Sequence, residues 1–533
     1  MTRSFFTVAS LAKLAAVLAG RSWPLLYSSI VKPAPDYQRA EELPSNEAAS
    51  AGGRIPRHVL TAAFILGLLT VALFARTWNF QMLYWDDDEN VLRNPLVVMP
   101  VAAGLKQIFT APFSTDYYPL TYISLALDHW VWRGHFFGYH VTQTLLHGLN
   151  AFLVVLLVWR WTKTSIVALL AGAWFAWHPV QVETVAWIAE RKNVLGACLF
   201  LLAWLAYLRI EDGKSSTVRW RFTALGLFIL AILAHALVIV LPALLLTYEI
   251  CARRQKISEG LRRTWLFFIP AAFAALMRVL GHAQSGQLSS PFRNATEWFL
   301  TMTTVLGQYV TTLFWPTELS NHYQVTANDS LGSPGVIVTL GWLAVWVVVA
   351  WRVKPLRRWS IFALVWFLIC LAPVLEIVPH PTLRADRYLY LAALGIFLLV
   401  AQWLEEKRVI LIIAGPLTGV CLIGLTLARI PDWHDPKTLW SDCVRKNPRS
   451  AVGYYSLAGC SINESEWPTA ARYLEKTIAL KPDFAEAHER LGAVYLMQNK
   501  EAEGRQELQR ALALKPQLTE ASHNLMLLEQ RHP

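Results

Sequence analysis

Long apolar runs, separated by short basic or polar links, organise this chain. Stretches such as Ile361 to Pro373 and Val409 to Leu427 carry no charged residue at all. A helix needs about 20 consecutive apolar residues to cross a bilayer core, so runs of this kind predict spanning helices. About eleven are expected, near 59–76, 137–160, 164–177, 193–209, 220–234, 236–250, 264–282, 335–352, 359–378, 388–404 and 408–429. Several are short, and the 220–250 stretch is expected as two helices broken near His235. The stretch from Ala295 to Pro316 is also apolar, but it carries Thr301, Thr303, Thr304, Gln308, Thr311 and Thr312. It is therefore expected as an external helix lying at the interface.

The pattern changes after about residue 430. Lys481-Pro482 and Lys515-Pro516 stand 34 residues apart, Asn447-Pro448 stands 34 before the first pair, and Leu491-Gly492 follows Leu457-Ala458 by 34. That is the tetratricopeptide period, in which helix pairs stack to bury a shared core. About two full repeats fit, with half-repeats at Thr438 to Asn447 and Glu520 to Gln530. The predicted fold class is all-α: a polytopic transmembrane helix bundle over 58–430, followed by a tetratricopeptide α-solenoid over 436–533. Residues 1–57 form an N-terminal extension, with an apolar stretch from Phe5 to Leu18 interrupted by Lys13 and then a linker containing Pro, Glu and Ser. It reads as an amphipathic surface helix, a signal-like remnant or a misplaced start, and no function is assigned to it.

Composition agrees with a membrane as solvent. At 533 residues, 55% hydrophobic and 16% charged, the chain is too apolar for one soluble core. Many of the 24 tryptophans lie near run ends, as interfacial anchors do. The net charge of +11 comes mostly from Lys and Arg in the links, where they orient helices, so nucleic acid is excluded as the partner. Arg54 and Arg57, Arg160 and Lys163, Arg219 and Arg221, Arg253 to Arg263, Arg352 to Arg358, and Lys407 with Arg408 should all be cytoplasmic. The N-terminus is then inside, with external regions at 77–136 and 283–334 and the repeats outside. Six cysteines show neither a CxxC nor a metal spacing. Cys443 and Cys460 are expected as buried thiols, or as a pair if exported.

The first external loop opens with Trp85-Asp86-Asp87-Asp88-Glu89-Asn90, preceded by Tyr84. By itself such a run is a solvated loop or a cation site. On the same predicted face follow Asp116-Tyr117-Tyr118-Pro119-Leu120, Asp128-His129, then His140 and His147 at helical spacing, then His178-Pro179-Val180 and Glu183. Polar groups this numerous at span ends should line a wet cavity, although each histidine alone reads as a packing residue. Glu183, Trp187 and Arg191 fall at i, i+4 and i+8, one stripe of a helix after His178, and a structural ion pair explains the acid and the arginine equally well. Arg384-Ala385-Asp386-Arg387-Tyr388 places two guanidinium groups at another span rim, suited to a bidentate grip on phosphate or to headgroup contact.

Taken in order, Trp85-Asp86-Asp87, Tyr118-Pro119-Leu120 with Ser124 and Asp128, His140 to His147, His178-Pro179-Val180 with Glu183, Trp187 and Arg191, Asp386-Arg387-Tyr388 and the closing repeats resemble the transmembrane and tetratricopeptide repeat containing family. The resemblance runs over roughly 59–530 and is nearest the bacterial members. That family resembles the C-type glycosyltransferase superfamily, which carries an acidic motif in the first external loop and takes sugar from a polyprenyl phosphate. Its animal members are associated with O-mannosylation of proteins in the endoplasmic reticulum lumen. The resemblance matches Asp86 and Asp87 to the paired acids, and 278–329, with Arg278, Trp315-Pro316 and Leu319-Ser320, to an uncharacterised loop region. Two departures stand out. Ala234-His235-Ala236 replaces the Ser-Lys-Pro of many relatives, and Tyr388-Leu389-Tyr390-Leu391 lacks the Pro that often follows.

The expectation is an inverting transfer of a sugar, mannose by resemblance, from a polyprenyl-phosphate carrier to a protein hydroxyl. Asp86 or Asp87 is the catalytic base. Asp128, His140, His147, His178, Glu183, Arg191, Arg384 and Arg387 are the candidate substrate-binding residues, the arginines steadying the departing phosphate. No cofactor is certain beyond the lipid-linked donor. The adjacent acids can hold a divalent metal through oxygen ligands, but no octahedral set is visible, and metal independence is the preferred reading. The repeats are expected to hold a protein acceptor or partner. The compartment implied is a bacterial inner membrane with periplasmic repeats, or second an endoplasmic reticulum membrane. Two rivals remain open: a non-catalytic membrane-anchored scaffold for envelope or polysaccharide assembly, and a transporter using the external charges as a path.

Overall fold

The computed structural model describes residues 54–531 except Tyr84, Pro100 and the segments 111–116, 211–216, 285–290, 353–356 and 378–381. The N-terminal extension up to residue 53, Tyr84, Asp116 and Lys354 lie outside the described residues. Every regular element among the described residues is helical. The bundle comprises α1 (Arg57–Phe74), α2 (Pro119–Trp132), α3 (Phe136–Thr162), α4 (Ser165–Trp177), α5 (Arg191–Arg209), α6 (Thr217–Ala234) and α7 (Leu241–Cys251). It continues with α8 (Ile257–Gln284), α9 (Ala295–Phe314), α10 (Pro334–Arg352), α11 (Arg357–Leu371), α12 (Leu389–Glu406) and α13 (Arg408–Arg429).

Eight helices among the described residues are long and apolar enough to cross a membrane, nine if α4 and Pro179–Ala186, bent by 49°, form one span. The expectation of about eleven therefore counted shorter pieces. Ala236–Cys251 and Arg358–Val374 are apolar helices below that length. The break expected near His235 falls on His235 itself, which is extended between α6 and a short 3-10 turn. Helix α9 is 20 residues long but is not among the helices apolar enough to span. The protein is a multi-pass membrane protein.

Two classes of span emerge from burial. In α3 and in the span containing α12, 67% and 78% of the apolar window is buried, against 6% for α10 and 11% for the span containing α13. The second class shows Ile337, Leu340, Val347, Ile412, Ile413 and Val420 to the outside, the apolar surface a helix presents to lipid. Without a hydrophobic force between helices in lipid, close backbone approach holds the inner ones together. At the α1–α3 crossing a Cβ on Gly67 would sit 2.9 Å from the Gly148 carbonyl oxygen, and at α11–α12 one on Gly395 would sit 2.7 Å from the Ala363 oxygen.

The C-terminal helices are α14 (Pro436–Lys446), α15 (Ala451–Asn463), α16 (Trp467–Leu480), α17 (Ala485–Met497), α18 (Glu501–Leu514) and α19 (Thr519–Arg531). Ala451, Ala485 and Thr519 open helices at the 34-residue period. Small residues at the pair contacts, including Ala458, Ala470, Ala471 and Ala487, let consecutive helices nest around Leu474 and Leu491. Arg429 joins this array to the bundle by bridging Asp432 and Asp442. All six cysteines are free thiols.

Candidate functional site

The acidic loop is pinned from beneath by one of its own acids. Asp87 is buried, its Oδ2 accepting the Leu83 N–H at 3.0 Å and its Oδ1 the Ala189 N–H at 2.8 Å. Burial pushes its carboxyl up to about 7, the neighbouring Asp86 adds to the rise, and the two backbone donors hold it back. Asp86 turns the other way, into the wall of a cavity of about 300 Å³. Burial is also the chief cause of its raised pKa, opposed by the positive charges of Lys192 and Arg387.

Three cations line this cavity, Lys192, Arg278 and Arg387, with the acids Asp86 and Glu190 and the aromatics Trp85, Tyr118 and Tyr388. Asn193, His235, Leu237 and Thr382 complete it. A smaller lobe of about 190 Å³ shares Asp86, Tyr118 and Lys192 and adds Glu89, Asn90 and Thr121. Asp86 thus stands between two compartments. An apolar crevice shares Asn193, His235, Leu237, Arg387 and Tyr388 with the main cavity and extends to Val238, Val240, Cys370 and Leu391. Arg387 is held by Glu183 and, at 3.5 Å, by Glu190, while its guanidinium lies 5.3 Å over the Trp187 ring.

Of the ten residues singled out from sequence, Asp86 and Arg387 line the main cavity. Asp128 and Arg191 pair at 2.7 Å, and Arg191 also donates to Gln143 Oε1, Ser124 Oγ and the Tyr139 carbonyl. Both are buried away from the cavity. His147 Nε2 donates to the Ala176 carbonyl, so its Nδ1 accepts from the Tyr390 hydroxyl at 2.8 Å. By the same logic His178 donates to the Leu313 carbonyl and accepts from the Val180 N–H. His140 is buried edge-on to Phe80. Glu183 faces Arg387 and also accepts the Asp386 N–H. Glu183 backs the cavity wall through Arg387 and His147 backs the apolar crevice through Tyr390, while the other four side chains are spent on contacts inside the bundle.

Two expectations need correction. Glu183, Trp187 and Arg191 do not share a helical stripe, because the chain runs as a short helix to Ala186, is extended at Trp187 and turns again before α5. The break shifts the phase, so Lys192 and not Arg191 meets the cavity, and Glu183 pairs with Arg387 and not with Arg191. Arg384 and Arg387 likewise part company. Arg384 donates to Gln308 and Thr312, stacks on Tyr323 at 3.8 Å and lines a separate cavity of about 770 Å³ between α9 and α14. Sequence reasoning missed Lys192 and Glu190, whose only signal was their place beside Arg191. Among the described residues no group of three or more His, Cys, Asp or Glu side chains is arranged to hold a metal ion.

No family model matches the chain. It is similar to protein O-mannosyl-transferase TMTC3 of Homo sapiens, 23% identical with 82% of this chain and 53% of that protein covered. Similar figures hold for TMTC3 of Mus musculus, at 23% with the same coverage, and for Tmtc3 of Drosophila melanogaster, at 24% with 73% and 51% covered. The chain spans about half the length of the curated relatives it matches. The homologues of this chain are protein O-mannosyl-transferases of the transmembrane and tetratricopeptide repeat containing family, the family its motifs resemble.

Proposed function

We propose that this protein is a membrane glycosyltransferase that moves a sugar, mannose first, from a polyprenyl-phosphate carrier to a protein hydroxyl on the extracytoplasmic side. One observation carries the reading: Asp86 stands at the junction of two lobes, the larger of which holds Lys192, Arg278 and Arg387. A carboxylate beside cations in a partly desolvated cavity suits removal of a proton next to a departing phosphate. In this scheme the donor phosphate lies among the three cations and the acceptor hydroxyl enters from the smaller lobe. The hydroxyl oxygen bonds to the anomeric carbon as the carbon–oxygen bond to phosphate breaks. The electron pair leaves with the phosphate, the proton passes to Asp86, and the anomeric centre inverts. The apolar crevice offers a course for the carrier's first isoprene units.

Asp86 is the base in this reading and Asp87 holds the loop. The repeats recruit an acceptor or partner. The cationic links at Arg160 to Lys163 and Arg253 to Arg263 lie at the opposite ends of the helices from Asp86, which supports an extracytoplasmic site under the positive-inside rule. Purified protein in vesicles, given labelled polyprenyl-phosphate mannose and a serine- or threonine-bearing peptide, should transfer label, and Asp86→Asn should not. Equal labelling by both would overturn the assignment. No labelling by folded wild type with any polyprenyl-phosphate sugar would favour a repeat-bearing scaffold.

A further inference from the structure

Trp85, next to Asp86, is packed against two cores at once. On one side it belongs with Phe80, Leu83, Val185 and Trp187 of the bundle, and on the other with Trp440, Cys443 and Leu457 of the repeat array. Its ring stacks on Trp187 at 4.5 Å and 12°, and meets Trp440 edge-on at 5.0 Å. Because the Arg387 guanidinium lies over the other part of this column, at 5.3 Å from Trp187, a line of contacts runs from the cavity cation through Trp187 and Trp85 to α14. Trp187 and Trp440 are each 1% exposed. The same junction carries a backbone bond, Gln81 N–H to the His434 carbonyl at 3.0 Å, and a ring contact of Phe80 with His434.

We infer that Trp440, on the first helix of the repeat array, is a positioning residue for the cavity: it closes the outer side of Trp85 and so fixes Asp86 and, through Trp187, Arg387. Asp87 pins the loop at its base, and Trp85 N–H to the Leu83 carbonyl at 2.7 Å and Asn90 N–H to the Asp86 carbonyl at 2.8 Å order its backbone, but these bonds leave the Trp85 ring free to turn about its side-chain torsions. The aromatic wedge removes that freedom, since a buried ring leaves no room for its neighbour to shift without opening a void. The repeat array is then part of the transferase site and not a tethered accessory. In its catalytic consequence this rests on Asp86 being the base.

The test uses full-length protein in vesicles, as wild type, Trp440→Ala and Trp440→Phe. Hydrogen exchange of 85–92 is followed beside that of α15–α19, and transfer from polyprenyl-phosphate mannose is measured in parallel. In Trp440→Ala, exchange of 85–92 should quicken by about tenfold while α15–α19 stay as in wild type. Its kcat should fall by about tenfold with the donor KM within about twofold, because the base is misplaced while Glu183 and Glu190 still hold Arg387 against the donor. Trp440→Phe, which keeps an aromatic edge, should recover most of both. Unchanged exchange of 85–92 in Trp440→Ala would overturn the inference, as would equal loosening of α15–α19. If the exchange pattern appears but wild type transfers no sugar, the glycosyltransferase reading fails while the docking of the loop by Trp440 stands.

Discussion

Two buried arginines, Arg191 and Arg387, look alike in the sequence and do different work. Arg191 is enclosed: Asp128, Gln143, Ser124 and the Tyr139 carbonyl take its donors, and Thr142 in turn bonds Asp128 at 2.7 Å. Arg387 is gripped as firmly by Glu183 and Glu190 but keeps one side on the cavity. Both sets are ion pairs at the same end of the bundle. What separates a strut from a binding group is whether the surroundings are closed. Adjacent acids repeat the contrast, with Asp87 enclosed by two backbone donors and Asp86 open.

The largest expected effect tests the open acid. Asp86→Asn should lower transfer by about a hundredfold to ten-thousandfold, the range for loss of a general base, with melting temperature unchanged. A fall of less than tenfold at equal protein would remove Asp86 from the chemistry. Next, lysine replacements should sort the arginines. Arg191→Lys leaves buried acceptors without donors and should destabilise the fold by about 2–3 kcal/mol, with kcat per folded molecule kept. Arg387→Lys keeps its charge beside Glu183 and Glu190 but loses the planar fork, so the donor KM should rise by about tenfold with little change in melting. An exchange of these two phenotypes would invert the comparison.

The enclosed acid gives a smaller effect that depends on pH. With its folded pKa raised to about 7, Asp87 holds its proton more tightly when folded than unfolded. The folded state therefore binds more protons between the unfolded value and about 7, and the contribution to stability is full below that window and lost as pH rises through it. The slope cannot exceed about 1.4 kcal/mol per pH unit for one group. Melting of wild type from about pH 5 to pH 8 should show a steeper decline than that of Asp87→Asn, in which Asp86 still titrates. Parallel curves would mean that Asp87 titrates in its ordinary range.

The fold was largely legible because spans and repeats announce themselves through period and length. Runs without charge mark helices whatever their neighbours, and Lys481-Pro482 with Lys515-Pro516 fixes a repeat by arithmetic. The break at His235 could be read from charge, because one unbroken helix over 220–250 would put Arg219 and Arg221 on the opposite side of the membrane from Arg253 to Arg263. The site was legible only in part. Asp86 was marked by its position after a span, and Arg387 by its rim. Lys192 was not, since the extended residue Trp187 that rotates it into the cavity is set by packing against Trp85 and Trp433, and a local pattern carries no trace of that. The histidines misled for the opposite reason. Histidines among apolar residues signal polarity inside a bundle, but the carbonyls of Ala176 and Leu313 that bond His147 and His178 come from other helices.

Arg384 offers the finest test of the distinction between closed and open. It sits three residues before Arg387, yet its guanidinium lies on Tyr323 and binds Gln308 and Thr312, tying the 382–388 link to α9. Tyr323 in turn donates to Asp386 at 2.7 Å, so Arg384 touches the site only through two intervening side chains. Arg384→Gln removes the cation and the stacking and, being two atoms shorter, the bond to Thr312, all of them outside the main cavity. Transfer should therefore change by no more than about threefold, or ~0.65 kcal/mol of barrier, because Arg384 does not line the main cavity. The decisive comparison is with Arg387→Lys under the same donor titration. If Arg384→Gln raised the donor KM as much as Arg387→Lys does, the two cavities would have to act as one site, and the wall built by Tyr323 and Asp386 would be no barrier to the phosphate.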